Sequence, residues 1–212
     1  MNTSKEINTI ILDLGGVIID LDYNRTAKAF VNLGLNNFED IYSKARQSNL
    51  FDDFEKGIIS PDAFRSTLKE QFPENVSDEQ IDEAWNAMLI DIPVHRVEFI
   101  KQLKQKYKVF LLSNTNAIHV IRFTKMADAI FGNDNFLSLF DKYYLSCELG
   151  IRKPDAEIFE RVISENNLEL SKTLFIDDSI QHIEGAEKVN LPAELLKVDS
   201  GEKLEVRFKF LL

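Results

Sequence analysis

The stretch Ile10-Ile11-Leu12-Asp13-Leu14-Gly15-Gly16-Val17 constrains this chain more than any other. A short apolar run bounded by Thr9 and a pair of glycines reads as a strand buried on both faces, the kind found in parallel sheets. It delivers one carboxylate, Asp13, to its carboxyl end, and ligands of open α/β sheets bind outside those ends. An aspartate there can serve as nucleophile, as metal ligand, or as both. The competing structural reading is a turn, because Asp after an apolar run commonly forms one and Gly-Gly is a routine loop signal.

Later stretches weigh between the two. Val109-Phe110-Leu111-Leu112 is a second buried run, closed by the polar Ser113-Asn114-Thr115-Asn116. Thr173-Leu174-Phe175-Ile176 is another, ending in Asp177-Asp178-Ser179. Between them Gly150-Ile151-Arg152-Lys153-Pro154-Asp155 forms a loop that enters a helix with Phe159, Val162 and Ile163 inward. Leu145-Ser146-Cys147 is expected as a short third strand and Glu194 to Val198 as the last, while the aromatic segment Phe136 to Tyr144 has no assignable period. Helical patterns over 94–107, 117–130 and 180–189 separate these runs. Strands alternating with helices imply an α/β protein with a Rossmann-like parallel sheet and right-handed crossovers.

Residues 24–92 break that alternation: they contain no convincing buried strand and strong helix signals. Ser60-Pro61-Asp62 supplies an N-cap, a proline at the first helical position and an acid in the first turn. Ser77 to Gln80 is a capping box, followed by Ile81, Ala84, Trp85 and Met88 on one face. A block this long is too large for a βα loop. It is read as a helical subdomain over 23–92, inserted into a core made of 1–22 and 93–212.

With 44% hydrophobic and 28% charged residues the composition is that of an ordinary soluble globular protein. The formal charge of −10 argues against nucleic-acid or anionic-membrane partners, whose surfaces attract Lys and Arg. Cys147 is the one cysteine, so no internal disulfide can form, and no Cys/His spacing suggests zinc. No apolar run is long enough for a signal peptide or a membrane span, and a cytoplasmic location is the expectation.

Asp13, Ser113-Asn114, Lys153 and Asp177-Asp178 therefore project toward one edge of a parallel sheet. Crowded carboxylates repel unless a cation lies among them, and a hard, oxygen-lined site favours magnesium. A hydroxyl, an amide and an ammonium nearby suit the oxygens of a phosphate. The combination spells phosphoryl transfer on a small phosphorylated metabolite.

Four motifs in chain order, Asp13-Leu14-Gly15-Gly16-Val17, Leu112-Ser113-Asn114-Thr115-Asn116, Arg152-Lys153-Pro154-Asp155 and Phe175-Ile176-Asp177-Asp178-Ser179, resemble those of the haloacid dehalogenase-like hydrolases. The resemblance implies a sheet of order 3-2-1-4-5 with 23–92 as a mobile cap. It implies that Asp13 attacks phosphorus to form an aspartyl-phosphate and also binds Mg2+. Ser113 and the backbone of Asn114 would hold the phosphoryl group, Lys153 would neutralise it and orient Asp13, and Asp177 with Asp178 would serve the metal. A monomer or homodimer is expected.

One departure from the family pattern stands out. Most phosphatases of the family carry a second aspartate two residues after the nucleophile, which protonates the leaving oxygen and offers a backbone carbonyl to the metal; here the residue is Gly15. The carbonyl survives as a metal ligand, but the acid is missing, and such an acid contributes ~10²–10⁴-fold. Three explanations stay open: an easy leaving group, a proton from Asp20, Asp22 or a cap residue, or slow turnover. The glycine variant also resembles small bacterial phosphatases acting on sugar 1-phosphates, which suggests a substrate of that kind. Phe51, Phe54 and Trp85 read as cap core, with cleft lining as the alternative, and Arg25 and Arg46 as solvated unless they meet a substrate hydroxyl. A hydrolytic dehalogenase would use Asp13 on carbon without metal, which the Asp177-Asp178 pair argues against. The non-enzyme alternative is a regulatory protein that senses a phosphorylated metabolite, and retention of Asp13 argues for the enzyme.

Overall fold

A computed structural model describes residues 7–35, 49–72, 75–132 and 136–212. Arg46 lies outside the described residues. In chain order the elements are β1 (Thr9–Leu12), β2 (Asp20–Leu21), α1 (Tyr23–Asn32), α2 (Leu50–Glu55), α3 (Pro61–Lys69), α4 (Asp78–Asn86), β3 (Leu89–Asp91) and α5 (Val94–Leu103). There follow β4 (Lys108–Ser113), α6 (Ala117–Phe131), β5 (Lys142–Leu145), α7 (Ser146–Leu149), α8 (Ala156–Asn166), β6 (Thr173–Asp177), α9 (Ile180–Lys188), β7 (Ala193–Leu195) and α10 (Leu204–Arg207).

Five strands form one parallel sheet in the order β5-β4-β1-β6-β7, which counted within that sheet alone is 3-2-1-4-5. The central β1 has all four residues buried because both of its edges are paired and both of its faces are covered. The period of two divides it: Ile10 and Leu12 pack with Val97, Ile100 and Phe123 on one face, and Ile11 packs with Ile158, Phe159 and Phe175 on the other. Leu12 is level with Leu111 of β4 and with Ile176 of β6. That register aligns the three strand ends, so Asp13, Ser113 and Asp177 emerge together at one edge.

Helices α1 to α4 gather a core of their own around Phe30, Phe64, Ile81 and Trp85, to which Ile118 of α6 contributes. The expected caps are present: Ser60 Oγ accepts from the Ala63 amide at 3.2 Å, and Ser77 and Gln80 complete a reciprocal capping box. The chain enters and leaves this helical block through β2 and β3, which pair antiparallel. β3 is a strand inside the stretch expected to be helical, three residues long and largely exposed, so it carries no buried apolar run to betray it.

Two strand boundaries differ from expectation. The third strand of the sheet is 142–145 rather than 145–147, because Ser146 already belongs to α7, where its Oγ accepts from the Thr115 amide at 2.9 Å. The last strand is 193–195 rather than 194–198, since Val198 starts a 3-10 turn. Among the described residues no helix is long and apolar enough to cross a membrane.

Candidate active site

Asp13 follows β1 and is 6% exposed. Its amide still donates to the Ile176 carbonyl at 3.0 Å, so the ladder of the sheet holds the backbone in register up to the acid itself. The chain then reverses in a tight turn in which Ile18 and Ile19 both donate to the Leu14 carbonyl at 2.8 Å. Gly16 has φ of 72°, and a Cβ there would lie 2.1 Å from Asp178 Oδ2. Glycine is required twice over, by its left-handed conformation and by the close approach of Asp178.

Lys153 is fully buried, and its ammonium lies 2.6 Å from Asp13 Oδ1, 2.6 Å from Asp177 Oδ2 and 2.9 Å from the Leu112 carbonyl. Three donor protons meet three acceptors. Asn114 aims this lysine: its Nδ2 donates to the Lys153 carbonyl at 2.8 Å and its Oδ1 accepts from the Lys153 amide at 2.9 Å. Its side chain is therefore a backbone clamp, while its carbonyl accepts from Ser113 Oγ at 3.3 Å. Asp177 accepts from the Ser179 amide at 2.8 Å on Oδ1, and His182 Nδ1 lies 2.9 Å away, one turn into α9. His182 was not among the sequence candidates; its spacing of one helical turn after Asp178 is a signal shared by many surface histidines.

Carboxylate oxygens of Asp13, Asp177 and Asp178 all lie within 4.8 Å of one another. One buried lysine cannot neutralise three acids, and their acidities diverge accordingly. Burial, which together with the charges of Asp177 and Asp178 overcomes the help of Lys153, raises Asp13 to about 7. Burial and Asp177 raise Asp178 to about 6. Burial opposes ionisation of Asp177 too, but Lys153 and His182 hold it down to about 2. The excess negative charge is what a bound cation would relieve.

Beside the acids lies a cavity of about 280 Å³ between the sheet edge and the helical block. Gly15, Ser113 and Asn114 form its floor, with Phe51, Glu55 and Trp85 reaching in from the block. Phe51 stacks on Trp85 with centroids 5.3 Å apart, so both residues serve the core of the block and the cavity together. Phe54 stays in that core, stacked on Phe64. Arg25 is exposed. Neither Asp20 nor Asp22 lines the cavity: Asp20 pairs with the buried Arg96 at 3.1 Å, and Asp22 caps α1 by accepting from the Asn24 amide. Gly15 itself faces Leu21, whose Cδ1 lies 2.8 Å from where a Cβ would be built.

His119, on α6, also lines the cavity. Asn116 Nδ2 can only donate to its Nδ1, at 3.1 Å, and the Trp85 carbonyl can only accept from its Nε2, at 3.3 Å. The ring is thereby fixed as the neutral Nε2–H tautomer, and burial pushes it down to about 4. A histidine with a lowered folded-state value takes up its proton more readily when unfolded, so it contributes stability at neutral pH that is lost on acidification from about 6.5 through about 4. His119→Gln is expected to remove up to about 3 kcal/mol of that pH dependence. Urea unfolding at neutral and acidic pH measures it, and an unchanged slope in the variant overturns the assignment.

Comparison with known proteins bears on the same geometry. Residues 7–190 match the model of the haloacid dehalogenase-like hydrolases. A D-ribitol-5-phosphate phosphatase of Bacteroides thetaiotaomicron is 33% identical over 177 residues, covering 84% of this chain and 85% of that protein. A solved enzyme of the family from the same organism, in complex with magnesium and inorganic phosphate, is 35% identical with a TM-score of 0.83 and covers 95% of this chain and 99% of its own. A predicted hydrolase of the family from Porphyromonas gingivalis has 31% identity, a TM-score of 0.79 and coverage of 89% and 90%. In motif order, in fold and in the convergence of its acids on a buried lysine, this chain belongs to the haloacid dehalogenase-like hydrolases.

Proposed function

We propose that the protein is a magnesium-dependent phosphomonoester hydrolase that works through an aspartyl-phosphate on Asp13, with residues 23–92 as a cap over a core of 1–22 and 93–212. The observation that carries the reading is Lys153 Nζ held 2.6 Å from both Asp13 and Asp177 at a sheet edge whose other occupants are Ser113 and Asp178. Three carboxylates within 4.8 Å are a donor set of hard oxygens with surplus charge, which fits magnesium better than a softer metal. Asp13, Asp177, Asp178 and the Gly15 carbonyl would hold it. When bound, the metal neutralises phosphoryl oxygens and favours the ionised form of Asp13.

Asp13 attacks phosphorus along the line of the P–O bond to the leaving group. The Ser113 hydroxyl and the Asn114 amide hold the phosphoryl oxygens as charge develops on them. Lys153, its backbone clamped by Asn114 and its ammonium held by Asp13, Asp177 and the Leu112 carbonyl, keeps Asp13 aimed and offsets charge on the transferring group. Water then releases phosphate from Asp13. Phe51 and Trp85 give the cavity beside the site an apolar wall, which would limit water around the reacting atoms.

A cavity of about 280 Å³ suits a small phosphate ester rather than a polymer. Two lines support a sugar or polyol phosphate: the glycine at position 15, which points to the readily displaced sugar 1-phosphates, and the relative named for D-ribitol 5-phosphate, a primary ester. Phosphate release from a panel that includes both types, with magnesium and then with chelator, tests the reading. Turnover is expected only with magnesium, and preference within the panel separates the two substrate types. Release that survives chelation, or none from any ester, overturns the reading.

A further inference from the structure

If the chain is the phosphatase just described, the acid missing at Gly15 has to be supplied from somewhere, and the geometry leaves few sources. Asp20 is committed to Arg96 and lies 3.6 Å from Lys203, Asp22 is committed to the start of α1, and the Nε2–H of His119 is committed to the Trp85 carbonyl. Asp178 belongs to the acid cluster. Glu55 remains. It is the last residue of α2, and it lines the cavity that Gly15, Ser113 and Asn114 floor. It also lines a neighbouring polar cleft together with Lys153, Arg152 and Asp155, so it borders both spaces beside the phosphoryl-binding residues.

The position is held firmly. The Glu55 carbonyl accepts from Ser146 Oγ at 2.6 Å, and Ser146 is in turn joined to the Thr115 backbone just after Ser113-Asn114. Two residues on, Gly57 has φ of 66°, and a Cβ there would lie 2.2 Å from the Cys147 carbonyl, which seats this end of α2 directly against α7. The side chain, by contrast, is under-satisfied. Glu55 Oε2 is 3.0 Å from Arg152 Nη2 but outside hydrogen-bonding alignment, and it is buried with no hydrogen-bond partner among the described residues. Arg152 is shared with Asp52, which weakens its hold on Glu55. Burial, reinforced by Asp52 and opposed by Arg152 and Lys153, raises the Glu55 carboxyl above the usual range, in the direction a proton donor needs.

We propose that Glu55 is the acid that protonates the leaving oxygen, supplied from the helical block in place of the residue missing at position 15. As Asp13 forms its bond to phosphorus, the P–O bond to the leaving group breaks, its electron pair stays on that oxygen, and the oxygen takes the proton of Glu55. The resulting carboxylate then accepts a proton from the water that attacks the aspartyl-phosphate. The P–O bond to Asp13 breaks, and the Asp13 carboxylate, protonated Glu55 and inorganic phosphate are restored.

The test compares an alkyl phosphate, whose leaving oxygen needs a proton, with an aryl phosphate such as p-nitrophenyl phosphate, whose leaving oxygen does not. The quantity is kcat/KM, which reports only the steps through phosphoryl transfer. Glu55→Gln is expected to lower kcat/KM for the alkyl ester by ~10²–10⁴-fold and to erase the fall expected of wild type at high pH, while leaving the aryl value within about threefold. Glu55→Asp, which keeps an acid one methylene short, is expected to lose on the alkyl ester alone. Equal losses on both esters, or no loss on the alkyl ester, overturn the proposal while Asp13-dependent aryl turnover leaves the phosphatase reading intact. Absence of magnesium-dependent aryl turnover in wild type overturns both.

Discussion

Asp13→Asn is expected to lower phosphate release by at least about 10⁴-fold, with the protein still folded. The asparagine is nearly isosteric, and its carbonyl can still accept from the Lys153 ammonium that now lies 2.6 Å from Asp13 Oδ1. It cannot form an acyl phosphate that water will release. The change also takes one negative charge out of a cluster whose oxygens lie within 4.8 Å of each other, where burial has already pushed Asp13 up to about 7. The melting temperature without magnesium should therefore be unchanged or higher. Phosphate release and thermal melts on the same sample separate loss of the nucleophile from loss of the fold. Turnover within about tenfold of wild type would place the nucleophile elsewhere.

Lys153→Met is expected to act in the opposite way on stability and the same way on turnover. The ammonium is fully buried and makes contacts to Asp13, Asp177 and the Leu112 carbonyl. Removing it leaves the acids facing one another without a buried cation, and breaking such a pair costs ~3–5 kcal/mol. For a chain of this size that corresponds to a fall of roughly 6–20 °C in melting temperature. Because the missing quantity is positive charge, excess magnesium should recover part of the melting temperature and little of the turnover, since the lysine also aims Asp13. Calorimetry with and without magnesium measures the first effect and phosphate release the second. A variant as stable as wild type in chelator would show that the acids carry their own protons and do not need the lysine.

The sheet and its edge were legible because buried parallel strands announce themselves as uninterrupted apolar runs. Ile10-Ile11-Leu12, Val109 to Leu112 and Thr173 to Ile176 could hardly be anything else, and the polar residue ending each run had to emerge at the sheet edge. Lys153 was of another kind: nothing in its loop required a lysine to run inward to full burial, and only motif order singled it out. Local pattern also missed β3, whose pairing with β2 joins Asp20 to Asp91 and Leu21 to Leu89, far apart along the chain. Glu55 was hidden for a related reason. In Leu50-Phe51-Asp52-Asp53-Phe54-Glu55 it looks like one more acid on the wet side of a short helix, and only the docking of that helix on Ser146 and Cys147 turns it toward the cavity. Asp20 and Asp22 looked equally able to give up a proton, yet Arg96 and the start of α1 had prior claims on them that no local pattern reveals.

Position 15 and Leu21 meet across the turn that follows Asp13. A side chain reintroduced at Gly15 would press its first carbon to 2.8 Å from Leu21 Cδ1, and Leu21 belongs to β2, packed against the main core beside Leu89. The leucine is half-buried and lines the cavity, so its flexible tip can rotate clear at modest cost. The two positions are therefore coupled: an aspartate introduced at 15 asks Leu21 to change rotamer, and a smaller residue at 21 removes that demand. The ease with which position 15 takes a side chain is thus set in part by Leu21, and while glycine stays at 15 a proton source in the helical block keeps its use.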